Sequence, residues 1–191
     1  MQELKKVINN YREEKEISIL EDFRFIHNGK TSYHEVFDSN YWKRKDLIFE
    51  LYQDYGLADK PLIKWLLTEE LKASEINTPV YTVDLCAFML YKYMEMEDIY
   101  MLYEAKFGAG TDLQVYVDIE LLFGFDSNET KTYLENKQKD KRKNKKILKA
   151  IDYYVQNPDA RFRSRTAYIE HFETQKIKGI RADLAELAEN N

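Results

Sequence analysis

Glycine and proline are scarce in this chain, six and three among 191 residues. A β-sandwich or barrel spends turn residues about every 8–12 positions, and this composition cannot supply them. Cysteine occurs once, at Cys86, which excludes an intrachain disulfide and a cysteine-built metal cage. The three histidines, His27, His34 and His171, form no His-Glu-x-x-His pair and accompany no Gly-x-Ser-x-Gly elbow. No metal and no cofactor is expected, and Cys86 reads as an inert core thiol. Long apolar runs are missing too. The richest, Val80 to Tyr91, carries Asp84 and falls short of the ~18 residues a spanning helix needs. It reads as a buried helix, so no membrane partner is expected. Met1-Gln2-Glu3-Leu4 lacks the basic and apolar regions of a secretory signal, which makes the cytoplasm the expected location.

What the chain does contain is material for a core. It is 44% hydrophobic, with 15 Tyr and 10 Phe, too apolar to stay disordered. Amphipathic spacing and capping residues divide it into about nine helices within one all-helical domain spanning 1–191. Glu3 to Ile26 reads as one long or slightly broken helix, with Ile17 and Ile26 among its apolar marks, stopped at Asn28-Gly29. Ser32 with Glu35 suggests a capped short piece. Tyr41 begins a helix that Gly56 should end in a left-handed conformation. Pro61 opens the next, Thr78 and Pro79 introduce a central helix to about Met94, and Glu97 to Phe107 stops at Gly108. Gly108-Ala109-Gly110-Thr111 resembles a phosphate cradle only superficially, because no lysine follows at the right spacing; a helix stop and a restart capped by Thr111 and Gln114 explain it. Residues 113–123 alternate like a strand at Val115, Val117, Ile119, Leu121 and Phe123, yet Val115, Ile119 and Leu122 keep helical spacing, and the segment is assigned as helix. Proline at Ile119 should therefore damage folding severely. Asp126 with Glu129 and then Ser164 mark later starts. Gly179 should separate a tail, and residues 180–191 should fray unless something docks on them.

A pattern recurs along these helices. Val83-Asp84-Leu85-Cys86-Ala87, Ile119-Glu120-Leu121-Leu122-Phe123 and Ile151-Asp152-Tyr153-Tyr154-Val155 share an apolar, acidic, triple-apolar order, and Ile63 and Leu66 precede Ile99 and Leu102 by a similar interval. Such a period predicts antiparallel helix pairs stacked into a helical-repeat array, an αα-superhelix.

Charge is distributed unevenly. Lys137 to Lys149 holds eight basic residues against Asp140 alone, a local +7 in a chain of −5. The run reads as an exposed helix extension or hinge, which Arg161, Arg163 and Arg165 could lengthen. Two functional expectations follow. The first is a non-enzymatic module that binds another protein, an adaptor or a neutralising partner, through a curved acidic surface bearing Tyr91, Tyr93, Tyr100, Tyr103 and Tyr116. The second is a nucleic-acid-associated protein that meets phosphates through Lys141, Arg142, Lys143, Lys145 and Lys146.

Overall fold

The computed structural model describes residues 2–32, 35–74, 79–108 and 111–189. His34, Thr78, Ala109, Gly110 and the Thr111 side chain, on which several expectations rest, lie outside what is described. The architecture is all-α, an array of paired helices. Here α1 (Gln2–Glu14) packs on α2 (Tyr41–Leu51), α3 (Lys60–Ser74) on α4 (Tyr81–Lys92), α5 (Ile99–Phe107) on α6 (Thr111–Tyr116), and α7 (Ser127–Asn136) on α8 (Lys141–Val155). The chain then returns through α9 (Arg165–His171) and α10 (Ile177–Glu189). Helix α4 occupies the centre: every residue from Thr82 to Tyr91 is buried, and α2, α3, α5, α6 and α10 all touch it. Each fully buried Val, Leu, Phe or Met there contributes roughly 1.5–3 kcal/mol.

Two pairs open alike. Leu57–Asp59 and Met96–Asp98 are 3₁₀ turns leading into α3 and α5. In each the aspartate accepts the backbone N–H three residues earlier, Gly56 at 2.9 Å and Glu95 at 2.7 Å. In each it also takes a cation from the preceding pair: Arg12 of α1 on Asp59 at 2.8 Å, Lys60 and Lys64 of α3 on Asp98. Matching these aspartates places the two openings three residues further apart than the Ile63/Ile99 alignment. Three residues is nearly one helical turn, so both registers put apolar residues on one face. The acidic position of each recurring pattern is an ion-pair member: Asp84 with Lys176, Glu120 with Arg163, Asp152 with Lys131.

Several local expectations need correction. The first helix breaks at Lys15, whose φ of 56° is left-handed, and a separate 3₁₀ turn, Ile17–Phe23, follows; Ile17 and Ile26 are exposed rather than core. Of the short piece expected from Ser32 to Glu35, Tyr33 and His34 lie outside the described residues; the Glu35 N–H donates to the Ser32 carbonyl at 3.0 Å, and His27 and Asp38 bridge nearby. Gly56 is extended (φ −141°) and precedes a 3₁₀ turn, so it does not end α2 in a left-handed state. Gly179 does not separate a tail. A π turn, Phe172–Lys176, joins α9 to α10, and Gly179 sits inside α10. An interior glycine costs only about 1 kcal/mol, outweighed here by burial of Ile177, Ile180 and Leu184. Residues 180–189, where fraying is expected, are helical because this face docks on α4.

Residues 113–123 are helical but interrupted. Helix α6 ends at Tyr116 and a 3₁₀ turn runs Ile119–Phe123, with Asp118 extended between them (φ −72°, ψ 145°). Val115 points outward at 85% exposure, whereas Val117 and every residue from Ile119 to Phe123 are buried, so burial does not follow the strand-like alternation. Ile119 is thus a first-turn position after an extended residue, the backbone setting proline prefers. Ile119→Pro should lose only side-chain packing, while Leu122→Pro should lose about 3 kcal/mol or more through a broken turn. Urea denaturation of the two variants checks the order.

Candidate functional site

Helix α8 begins where Asp140, itself left-handed (φ 49°), caps the Lys143 N–H at 3.0 Å. Four residues later the buried Asn144 amide donates to the Leu134 and Lys137 carbonyls at 3.0 and 2.9 Å, and its oxygen accepts the Tyr100 hydroxyl at 2.7 Å. Asn144 thereby satisfies carbonyls that the end of α7 leaves open and ties α8 to α5. With Asn144, Ile147 and Ile151 turned inward, helical geometry turns the opposite side outward.

That outward side is cationic. Of the eight basic residues in the run, Lys137 and Lys139 reach Glu97 at 2.9 and 3.2 Å, and Lys143 reaches Glu104 at 2.7 Å. The Tyr133 hydroxyl and Lys137 hold the Glu97 carboxyl down at about 2. Lys141, Arg142, Lys145, Lys146 and Lys149 are all exposed and make no ion pair among the described residues. Tyr153, four residues after Lys149, continues the same side at 75% exposure. The expected phosphate set therefore changes in one member: Lys143 is diverted to Glu104, and Lys149 takes a place in the free row. Asp140 settles the hinge question, because 137–140 is a connector and helix starts at Lys141. The three arginines do not lengthen the row. Arg161 bonds the Pro158 and Ala160 carbonyls, Arg163 pairs with Glu120, and Arg165 is enclosed by rings.

Of the five tyrosines one is buried, and the other four are half-buried and engaged with neighbouring side chains. Tyr91 is 1% exposed, packed against Tyr168 and under the Arg165 guanidinium, so it belongs to the core. Tyr93 meets Tyr55 edge-on, Tyr103 lies against Phe107, and Tyr100 is committed to Asn144 beneath Lys143. The Tyr116 hydroxyl donates to Asp183 at 2.8 Å, fastening α6 to α10. Sequence spacing identifies the face a tyrosine occupies, and a neighbouring helix then decides whether it is covered.

Two of the groups weighed for chemistry, Cys86 and His27, have structural surroundings that can be described. Cys86 is buried, and desolvation pushes its thiol well up. His27 is exposed and accepts the Gly29 N–H at 2.9 Å. Among the described residues no cluster of His, Cys, Asp and Glu has metal-binding geometry. No described helix is long and apolar enough to cross a membrane. Two buried charge networks hold the array together. Arg44, fully enclosed, donates to Glu70 and Asp38 at 2.6 Å each and to the Phe23 carbonyl at 3.2 Å, and Thr82 closes on Glu70. Burial pushes the Glu70 carboxyl up despite Arg44. Lys176, brought inward by the π turn, lies 2.8 Å from Asp84 and donates to Asp118 at 2.6 Å and to the Tyr116 carbonyl at 2.9 Å. Burial raises Asp84 to about 7, with Lys176 opposing. The only advance signal of these networks was Asp84 itself, an acid inside the most apolar helix.

No family model, no curated protein and no solved structure matches this chain.

Proposed function

We propose that this protein is a non-enzymatic binding module, in which stacked helix pairs hold the cationic side of α8 against an acidic patch on another protein. The observation that supports the reading most is the row Lys141, Arg142, Lys145, Lys146 and Lys149, exposed and without ion pairs among the described residues. Elsewhere many lysines are met by carboxylates, as with Lys60, Lys64, Lys92, Lys131 and Lys176, and the exposed lysines without one, such as Lys6, Lys15 and Lys178, are scattered rather than gathered on one helix.

Length and charge balance favour a protein over a nucleic acid. The row spans ~12 Å of helix, enough for a local patch of carboxylates. The chain outside the basic run carries −12 against a total of −5, and an extended polyanion reaching past α8 meets that charge. Exposed Tyr153 adds an amphipathic contact of the kind protein interfaces favour.

A charge-reversed variant, Lys141→Glu with Lys145→Glu and Lys149→Glu, tests the reading. These side chains are exposed, so stability should change by no more than about 0.5 kcal/mol. Binding of poly-glutamate at low salt, read by calorimetry, should weaken about tenfold or more. Equal binding by the variant, or a wild-type preference for a single-stranded oligonucleotide, would contradict the assignment.

A further inference from the structure

Helices α2 and α10 contribute matching stripes to one cavity. Asp46, Phe49, Glu50 and Gln53 come from α2 and the turn after it, and Arg181, Leu184, Ala185 and Ala188 from α10, each set at the three- and four-residue spacing of a single helix face. Because α1 packs on α2 while α10 packs on α4, a space of about 500 Å³ remains where the stripes meet, with Leu4 of α1 also in its wall. That volume is in the range of small-ligand sites. Leu4, Phe49, Leu184, Ala185 and Ala188 make much of the lining apolar.

Glu50 is the unsatisfied group in that wall. Its side chain is 9% exposed, yet among the described residues no hydrogen bond reaches its carboxylate, and its one cation, Lys5, stands 3.7 Å away on a side chain that is 68% exposed. Buried carboxylates elsewhere are better served. Asp38, Glu69, Glu70 and Asp98 accept hydrogen bonds, and Asp84 is sealed against Lys176. Of the other charges lining the cavity, Lys45 pairs with Asp46 at 2.9 Å, and Arg181 lies over the Phe49 ring at 5.3 Å, exposed to water. A desolvated carboxylate gains more from an opposite charge than a hydrated guanidinium does. The unmet demand is therefore for a cationic hydrogen-bond donor carried on an apolar chain.

We propose that this cavity binds a primary alkylammonium group, whose nitrogen donates to Glu50 in competition with Lys5 while its methylenes pack on Leu4, Phe49 and Leu184. A peptide lysine and a free aliphatic amine share that chemistry. No α8 residue lines the cavity, so the site is independent of the cationic row.

The test compares pentylammonium, pentanol and pentanoate on the intact protein, read through the Leu4 and Leu184 methyl resonances. Pentylammonium should shift them saturably in the millimolar range, about tenfold or more tighter than pentanol, and pentanoate should not bind. Glu50→Gln should erase the preference over pentanol. Ala188→Leu fills the cavity from an exposed position of α10 and should weaken pentylammonium about tenfold with the fold retained, which makes it the deciding variant if Glu50→Gln disturbs packing. Lys5→Met removes the competing ammonium and should tighten binding. N-acetyl-lysine amide identifies the source: its binding assigns a peptide lysine, and its exclusion assigns a free amine. Equal affinity for pentanol, a preference for pentanoate, or binding unchanged by Ala188→Leu would overturn the proposal.

Discussion

Replacing Arg44 by methionine should destabilise the protein by about 3–5 kcal/mol or more, a large share of the 5–15 kcal/mol typical of a folded domain. Arg44, Asp38 and Glu70 have no side-chain exposure, and among the described residues the guanidinium is the only cation paired with either carboxylate. Without it, two carboxylates remain in a medium that solvates them poorly. One must take up a proton on folding, in keeping with the upward push that burial already gives Glu70. The triple change Arg44→Met, Asp38→Asn, Glu70→Gln should recover much of the loss, because it removes all three charges together. Guanidinium chloride denaturation of the single and triple variants separates uncompensated charge from lost volume: equal losses would mean that packing, not charge, is responsible.

Lys176→Met should produce the second large loss, and this one should depend on pH. Asp84 is fully buried with Lys176 at 2.8 Å, and its proton is held to about 7 where an exposed aspartate would release it near 3.8. A carboxyl whose folded pKa is raised contributes stability that is present below the unfolded value and lost as pH rises through the folded one. Wild-type stability from Asp84 should therefore fall between about pH 4 and 7, and Asp84→Asn should flatten that stretch. Asp59 and Asp98 are held below the usual carboxylate range, for although burial pushes each up, Arg12 on the first and Lys60 with Lys64 on the second prevail. Their contribution is lost only as pH falls through those lowered values, so the two effects occupy different windows. At pH 8, Lys176→Met should cost about 3–5 kcal/mol; at pH 6, where Asp84 is protonated, it should cost much less. Thermal melts of both variants across pH 5–8 check the sign.

Much of the architecture was legible because helices announce themselves through spacing and caps. Asp126 and Ser164 do bond the N–H groups their positions imply, and the apolar stretch from Val80 is the centre of the core. Interruptions were harder to see. Lys15 and Asp140 adopt left-handed backbone without being glycine, and Gly179 continues a helix that burial on α4 stabilises. Residue preference at one position is worth less than the packing of a whole face, so a break is decided by contacts absent from the local sequence.

The candidate site was legible in part for a related reason. A dense basic run is visible in any chain, but which of its members stay free depends on carboxylates such as Glu97 and Glu104 lying elsewhere in sequence. Arg44, Glu70 and Lys176 look like ordinary surface charges in a chain that is one-third charged, and only the fold encloses them. Tyr91 was expected at the surface as one of the tyrosines flanking the central helices; α9 covers it, through Tyr168 and Arg165.

The most direct measurement of the account is photo-crosslinking in the native cell, with p-benzoylphenylalanine in place of Tyr153 on α8 and, as control, in place of exposed Thr68 on α3. Position 153 should give a discrete adduct to a protein whose crosslinked segment is rich in Asp and Glu. That adduct should vanish when Lys141, Lys145 and Lys149 are reversed to Glu. Adducts that form equally from position 68, that survive the reversal, or that disappear on nuclease treatment would contradict it.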